Sequence, residues 1–450
     1  MNKLRVLALC LAVSAALLGC TRQVSPEVQR ELEQQFHTQS SSENTASTGS
    51  SAAVQQSTPS ESAPSAPDEP QPVYTQVSFK AVGDNLIHNT IYLQAADRAA
   101  EGEEYDFYPA YARVEPLLEG ADLAFINQET LLASQVFEPS SYPMFNSPTQ
   151  VGDTMLSLGF NLISHANNHA LDKGVKGIEA TLDYWDAKIE EGADILVTGI
   201  FRNEEDMNTP RIIEKNGITF ALVAFTEHTN GLMLPSTSEN RIIYTSETEL
   251  MQQQIETARE LADVVLVSVH WGVENSHTVT DAQRNLAQQL IDWGADIILG
   301  THPHVLQPIE QLTSTDGKST GYVIYSLGNF ISAQSAGDNL IGGVLSITFE
   351  KEQLSGVVTI SKPVLTPIVT HYETAWQKNL ELYPLSEYTQ ELAQSHGVVR
   401  NTPAFSLEYI HQMLESVIGD EYLDDIPAPA PAQDSQEETD SEQTEQEEAA

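Results

Sequence analysis

Five short apolar runs in this chain each break off into a polar cluster rich in groups able to bind a metal ion. That repetition constrains the fold more than any other feature. Residues 77–82 lead into Gly83-Asp84, with His88 just beyond. Residues 123–126 lead into Asn127-Gln128-Glu129, and residues 161–164 into His165-Ala166-Asn167-Asn168-His169. Residues 264–269 lead into His270-Trp271-Gly272-Val273-Glu274, and residues 297–299 into Gly300-Thr301-His302-Pro303-His304. Apolar runs of this length read as strands. Helical patterns lie among them, at residues 108–118, 149–158, 177–190, 248–262 and 281–293. Alternating strand and helix predict a layered α/β domain. Ligands of open α/β sheets sit beyond the carboxyl ends of the strands. Five such endings therefore predict one edge that gathers Asp, Glu, Asn and His, a donor set suited to a dinuclear divalent-metal site.

Each piece alone has a plainer explanation. A single histidine after a strand is usually a capping or surface residue, and Asp84 after Gly83 could make only an Asx turn. Turn chemistry does not explain the same outcome at successive strand ends. His228, after Phe225-Thr226-Glu227, also follows an apolar strand and is a candidate for substrate contact. Trp271 reads as packing. No Walker-type phosphate loop, dinucleotide-binding glycine pattern or nucleophile elbow stands out.

Further strands are expected at residues 195–200, 321–326, 343–349 and 357–360, and a hairpin at 211–225 around Asn216-Gly217. The late strands lack intervening helices, which predicts a second, antiparallel sheet. Residues 371–425 read as a mainly helical extension.

The first residues carry Lys3 and Arg5, followed by an apolar run at 6–18. That run is too short to span a bilayer as a mature helix and has the shape of a signal peptide. It ends in Leu17-Leu18-Gly19-Cys20, which resembles a bacterial lipobox. Residues 1–20 are therefore expected to be a lipoprotein signal, with Cys20 lipidated and the protein held outside the cytoplasm on the cell membrane. Cys10 lies inside the signal, so the mature chain has no partner for a disulfide and depends on a large core. Residues 21–72 are rich in Ser, Thr, Ala, Pro and Gln and read as a flexible tether, with a short helix expected at 24–36. The folded domain is expected over 73–370 and an acidic solvated tail over 426–450. A formal net charge of -43 argues against nucleic acid as a partner.

The same polar clusters, joined by Ala170-Leu171-Asp172-Lys173-Gly174 after His169, by Val305-Leu306-Gln307-Pro308 after His304 and by Tyr325-Ser326-Leu327-Gly328-Asn329-Phe330, carry a resemblance. In order and spacing they are similar to the signature of the poly-gamma-glutamate capsule (CapA-type) branch of the calcineurin-like metallophosphatases, over most of Phe79 to Pro367. The resemblance implies a sandwich of two mixed sheets flanked by helices and two divalent ions, with Mn, Fe or Zn preferred. Asp84 would hold the first ion, Glu129 would bridge, Asn168 and His270 would bind the second, and His302 and His304 would divide between them. His169 would be the general acid, and Asn329 would contact substrate or orient a ligand. Two departures stand out. The superfamily has Asp-x-His at its first motif, whereas His88 lies four residues after Asp84. The bridging acid is Glu129 in place of Asp. The resemblance further implies a role in making, exporting or processing an anionic envelope polymer such as poly-gamma-glutamate, through hydrolysis or transfer at a phosphate or acyl bond. A non-catalytic scaffold for membrane polymer-synthase components is the alternative.

Overall fold

A computed structural model of the protein describes residues 72–424. The signal with Cys20, the helix expected at 24–36, most of the tether and the acidic tail lie outside the described residues.

Two mixed sheets form the domain. The strands of the first are β1 (Tyr74–Asn85), β2 (Leu123–Asn127), β3 (Leu162–Ser164) and β4 (Leu196–Thr198), joined by β11 (Asn329–Ile331), β12 (Ile341–Glu352), β13 (Val358–Ile360), β14 (Val364–Glu373) and β15 (Lys378–Pro384). They run in the order β15-β14-β12-β1-β2-β3-β4, with β11 beside β1 and β13 beside β12. Strands β1 to β4 are parallel, whereas β12 runs antiparallel to β1 along most of its length. The second sheet is β5 (Ile212–Lys215), β6 (Ile218–Thr226), β7 (Val264–His270), β8 (Ile297–Thr301), β10 (Thr320–Leu327) and β9 (Leu306–Thr313), in that spatial order. Its centre is parallel and both edges are antiparallel.

The two sheets share a core. Phe349 of β12 packs edge-on against Phe79 of β1 at 6.0 Å and against Phe220 of β6 at 5.1 Å between ring centroids. The outer face of the second sheet is covered by the helices Thr248–Leu261 and Asp281–Trp293, which form a second apolar cluster with it. Strand β7 is therefore buried on both faces, which explains its unbroken Val-Val-Leu-Val sequence. Helix Asp281–Trp293 is sharply bounded. Thr280 and Gln283 make a reciprocal capping box, and Gly294 closes the far end at φ 115°. The helix thus delivers the chain straight into β8, which ends at Thr301 just before the turn with His302 and His304.

The hairpin at Asn216-Gly217 forms as expected, with both residues left-handed at φ 51° and 77°. Three expectations need correction. The late strands do not make a separate antiparallel sheet. Strands β12 to β15 extend the first sheet, and β10 lies parallel to β8 in the second. The boundary at 370 falls inside β14, and residues 378–384 alternate in burial as a half-exposed edge strand. Helices Gln390–Ser395 and Leu407–Val417 follow only after this hairpin. Lastly, the helix expected at 108–118 is two single turns, Tyr108–Tyr111 and Glu115–Leu118, each starting with a proline near its N-terminus.

Candidate metal centre

The carboxyl ends of β1, β2, β3, β7 and β8 meet at one edge where the sheets face each other. Asp84 is fully buried at the end of β1. Its place depends on a close approach of two glycines: a Cβ on Gly83 would lie 1.8 Å from the Gly328 carbonyl oxygen. That carbonyl accepts a hydrogen bond from the Asp84 backbone N–H at 3.0 Å. Asp84 Oδ1 accepts from Asn127 Nδ2 at 2.7 Å, and Oδ2 accepts from the His302 backbone N–H at 3.2 Å.

Around Glu129 the donor atoms converge. His270 Nε2 lies 3.2 Å from Asn168 Oδ1, 3.1 Å from His302 Nδ1 and 3.8 Å from Glu129 Oε1. His304 Nε2 lies 3.8 Å from the same Glu129 oxygen, and His304 Nδ1 lies 3.1 Å from Asp84 Oδ2. Separations of about 3.0–3.5 Å are the polyhedron edges expected around an ion with bonds of about 2.0–2.2 Å. The spacing is therefore close to that of a ligand shell. Glu129 is 1% exposed, and neither of its carboxylate oxygens has a hydrogen-bond partner. A buried carboxylate without partners is costly and calls for a cation. The mixed nitrogen and oxygen set without thiolate is compatible with a divalent metal.

The electrostatics agree. Burial, then the neighbouring Asp84, push the Glu129 carboxyl well above its ordinary range. Burial and then the crowding of His302 and His304 push His270 well below the ordinary histidine value. Burial, with His304 and His228 nearby, lowers His302 to about 3. His304 is opposed by burial, yet Glu129 and Asp84 raise it to about 9. The site thus favours neutral imidazoles at His270 and His302, and a proton held between His304 and Glu129.

The turn that presents both histidines has left-handed backbone at His302 (φ 97°) and His304 (φ 57°). Such φ values are uncommon outside glycine and persist only where the surroundings over-determine them. Here the His302 N–H is tied to Asp84. His304 Nδ1 also meets Asn329 Oδ1 at 3.0 Å, and Asn329 Nδ2 donates to Gln334 Oε1 and the Asn339 carbonyl, both at 2.8 Å. Asn329 is buried and its polar atoms are engaged, so it orients His304.

His169 sits beside this cluster, 6% exposed. Its Nδ1 lies 2.7 Å from Asp172 Oδ2, and Phe145 packs edge-on to its ring at 4.7 Å. Among the described residues its Nε2 makes no hydrogen bond. His228 is half-buried at the mouth, its ring centroid 5.2 Å from that of His302. His88 stands apart from the ligand cluster. Its Nδ1 faces the Leu86 carbonyl at 3.2 Å and the Ala333 N–H at 3.3 Å, and burial lowers it to about 4. His165 serves the core, with Nε2 accepting from the Trp185 indole N–H at 2.8 Å.

Sequence reasoning passed over four contributors. Asn127 braces Asp84. Thr301 Oγ1 meets His270 Nδ1 at 2.9 Å and leaves Nε2 for the cluster. Asp172 pairs with His169, a signal present in the three-residue spacing. The fourth, Glu274, lies with His302 and His304 such that one ligand atom from each falls within 4.8 Å of the others.

The family model described as bacterial capsule synthesis protein PGA_cap matches residues 78–334, more than half of the chain and all of the strand ends described above. The chain belongs to that family. Family members of similar sequence include the PGA biosynthesis protein CapA of Bacillus subtilis (strain 168), 35% identical over 178 residues, covering 39% of this chain and 44% of that protein. The capsule biosynthesis protein CapA of Bacillus anthracis is 34% identical over 180 residues, covering 39% and 41%. The match thus spans less than half the length of either relative. Among solved structures, a phosphatase from Mycoplasma pneumoniae aligns with 66% of this chain and 95% of its own at 13% identity, with a TM-score of 0.40.

Proposed function

We propose that this family member carries a two-metal hydrolase site and acts in the biosynthesis, export or processing of an anionic cell-envelope polymer such as poly-gamma-glutamate. The observation that carries the reading is the buried Glu129 carboxylate, without partners and ringed by Asp84, Asn168, His270, His302 and His304. The printed roles of the two Bacillus relatives support the polymer assignment. The lipobox at Cys20 supports a lipid-anchored, extracytoplasmic location.

Asp84, Glu129 and His304 would hold one divalent ion, and Asn168, His270 and His302 with Glu129 a second, with Mn, Fe or Zn preferred. Such a pair supplies Lewis acidity toward a phosphoryl or acyl oxygen. The chain's own residues do the rest. Asn127 and the His302 N–H fix Asp84, and Thr301 fixes the face that His270 presents. Asp172 holds the His169 ring with Nε2 outward and stabilises the imidazolium, so that Nε2 can give its proton to the leaving oxygen. Phe145 packs edge-on against the His169 ring, and its backbone N–H donates to Asp172 Oδ2 at 2.6 Å, which holds the pair in place. His228, half-buried at the mouth, is placed to contact an anionic group of the substrate.

One observation favours a second reading, a non-catalytic scaffold for membrane polymer-synthase components. The position two after Asp84, where the superfamily has its histidine, is the apolar Leu86, 2% exposed. A single experiment separates the two readings. The purified full chain is analysed for metal and tested on phosphate monoesters, phosphodiesters and the polymer. Two ions per chain with turnover on one class supports the hydrolase. Metal without turnover on any of them supports the scaffold, and no metal after loading at neutral pH overturns the two-metal site.

A further inference from the structure

Besides Glu129, the strand ends account for three donors in one half of the site, Asn168, His270 and His302, but for only two in the other, Asp84 and His304, because the histidine after Asp84 is missing. The replacement comes from the loop after β7. Two overlapping groups among the described residues bring ligand atoms from three His, Asp or Glu residues within 4.8 Å of one another. One is Asp84, Glu129 and His304. The other is Glu274, His302 and His304. His304 belongs to both, so the two groups abut. Glu274 is exposed, and among the described residues its carboxylate makes no hydrogen bond or ion pair. Its loop is held from beneath. Asn275 N–H donates to the Pro303 carbonyl at 2.8 Å, which binds the Glu274 loop to the His-Pro-His turn. Gln307 Nε2 donates to the Ser276 carbonyl at 2.8 Å and accepts on Oε1 from Gln283 Nε2 at 2.8 Å. An exposed carboxylate that is unengaged while its backbone is pinned to two ligand histidines is the arrangement of a donor awaiting its cation. The unpartnered Glu129 oxygens, buried on the inner side of His304, point to the same cation independently.

We infer that Glu274 is a direct metal ligand in this chain, supplying from the solvent side the donor that Leu86 cannot. The inference rests on the two-metal reading above. It implies a third carboxylate in the shell, so the loaded site carries one less positive charge than a shell completed by histidine. It also closes the mouth on the Glu274 side, which leaves the His228 and His169 side as the way in for substrate.

The test uses the full chain and Mn²⁺ alone as the probe. Mn²⁺ stoichiometry and affinity are measured for wild type and Glu274→Gln by competition with a chelator, at low salt and at high salt, together with the melting temperature of the metal-free proteins. Glu274 is exposed, so the metal-free melting temperature should not change. The affinity for one of the two ions should fall by about 10-fold or more, since even outer partners of metal ligands contribute about 10–100-fold. The loss should persist at high salt, because a coordinate bond is not screened as a distant exposed charge is. Unchanged affinity in the variant overturns the inference, and so does a difference that vanishes at high salt. A wild-type chain that binds no Mn²⁺ overturns the two-metal reading itself, which keeps the two failures distinct.

Discussion

Replacing Glu129 with Met should make the metal-free protein more stable than wild type and the metal-supplemented protein less stable. Neither buried Glu129 oxygen accepts a hydrogen bond, the imidazole nitrogens of His270 and His304 stand 3.8 Å from Oε1, and Asp84 adds a like charge beside them. A buried unsatisfied polar group costs about 1–3 kcal/mol, and exchanging a buried charge for an apolar side chain of similar size often stabilises by about 1–4 kcal/mol. A gain of about 2 kcal/mol is therefore expected without metal, or about 4 °C in Tm for a domain of this size. With metal the order should reverse. An ion present at 100 times its Kd adds about 2.7 kcal/mol per site to the wild type, and the variant loses the donor shared by both sites. The effect also has a pH signature. Burial and Asp84 raise the Glu129 carboxyl well above 4.5. A raised carboxyl costs nothing below its unfolded value, where it is protonated in both states. Its penalty grows as pH climbs through the folded value. The advantage of Met in the metal-free protein should thus be larger at about pH 8 than at about pH 5. Calorimetric or fluorescence melting in chelator and in excess Mn²⁺, at both pH values, measures all of this. A variant that melts below wild type in chelator would refute the reasoning, because it would mean that the carboxylate is satisfied within the protein.

His169→Ala should keep its metal content and Tm while turnover on esters with poor leaving groups drops about 10²–10⁴-fold, with a smaller loss on an activated aryl ester; Asn168→Ala should instead lose metal and activity together, and elemental analysis beside kinetics distinguishes them. Metal uptake near neutral pH should release about one proton or more, because His304 is held at about 9 and Glu129 is raised, and affinity should climb with pH through that range; titration calorimetry in two buffers of different ionisation heat reads the number, and zero release counts against the pairing. Gly83→Ala places a methyl against the Gly328 carbonyl oxygen and should cost about 3 kcal/mol, read as a lower chemical-denaturation midpoint with weakened metal binding. Cys20→Ala should release the protein from membranes or block its processing, and unchanged membrane fractionation would count against lipidation.

The donor set of the site was legible because strand ends advertise themselves: an apolar run buried on one or both faces has to stop where polar side chains start. Asp84, Glu129, Asn168, His270, His302 and His304 all stand at such stops, and the structure gathers all six. What linear reading missed are residues whose meaning depends on a neighbour far along the chain. Asn127 looks like a turn residue until Asp84 is beside it. Asn329 has the chemistry of a substrate contact, but His304 and two further acceptors claim its amide. Glu274 was visible within its polar cluster, yet only the fold brings it to the His-Pro-His turn. The layers were harder to read than the elements. Strand β9 follows the polar turn at His304 directly and was taken up in its motif. The pairing of β12 with β1 joins segments that nothing local connects, and for that reason the late strands appeared to form a sheet of their own.

The hydrogen bond from the His302 N–H to Asp84 spans 218 residues of chain, and the Gly328 carbonyl that fixes Asp84 comes later still. Contacts of such sequence separation form slowly, since the loop they close has to be ordered first. The site is consequently a late product of folding, complete only after β11 has docked on β1. A chain still being synthesised would expose the separate donors but no assembled cradle. A chain ending before β11 would lack the contacts that fix Asp84 and His304.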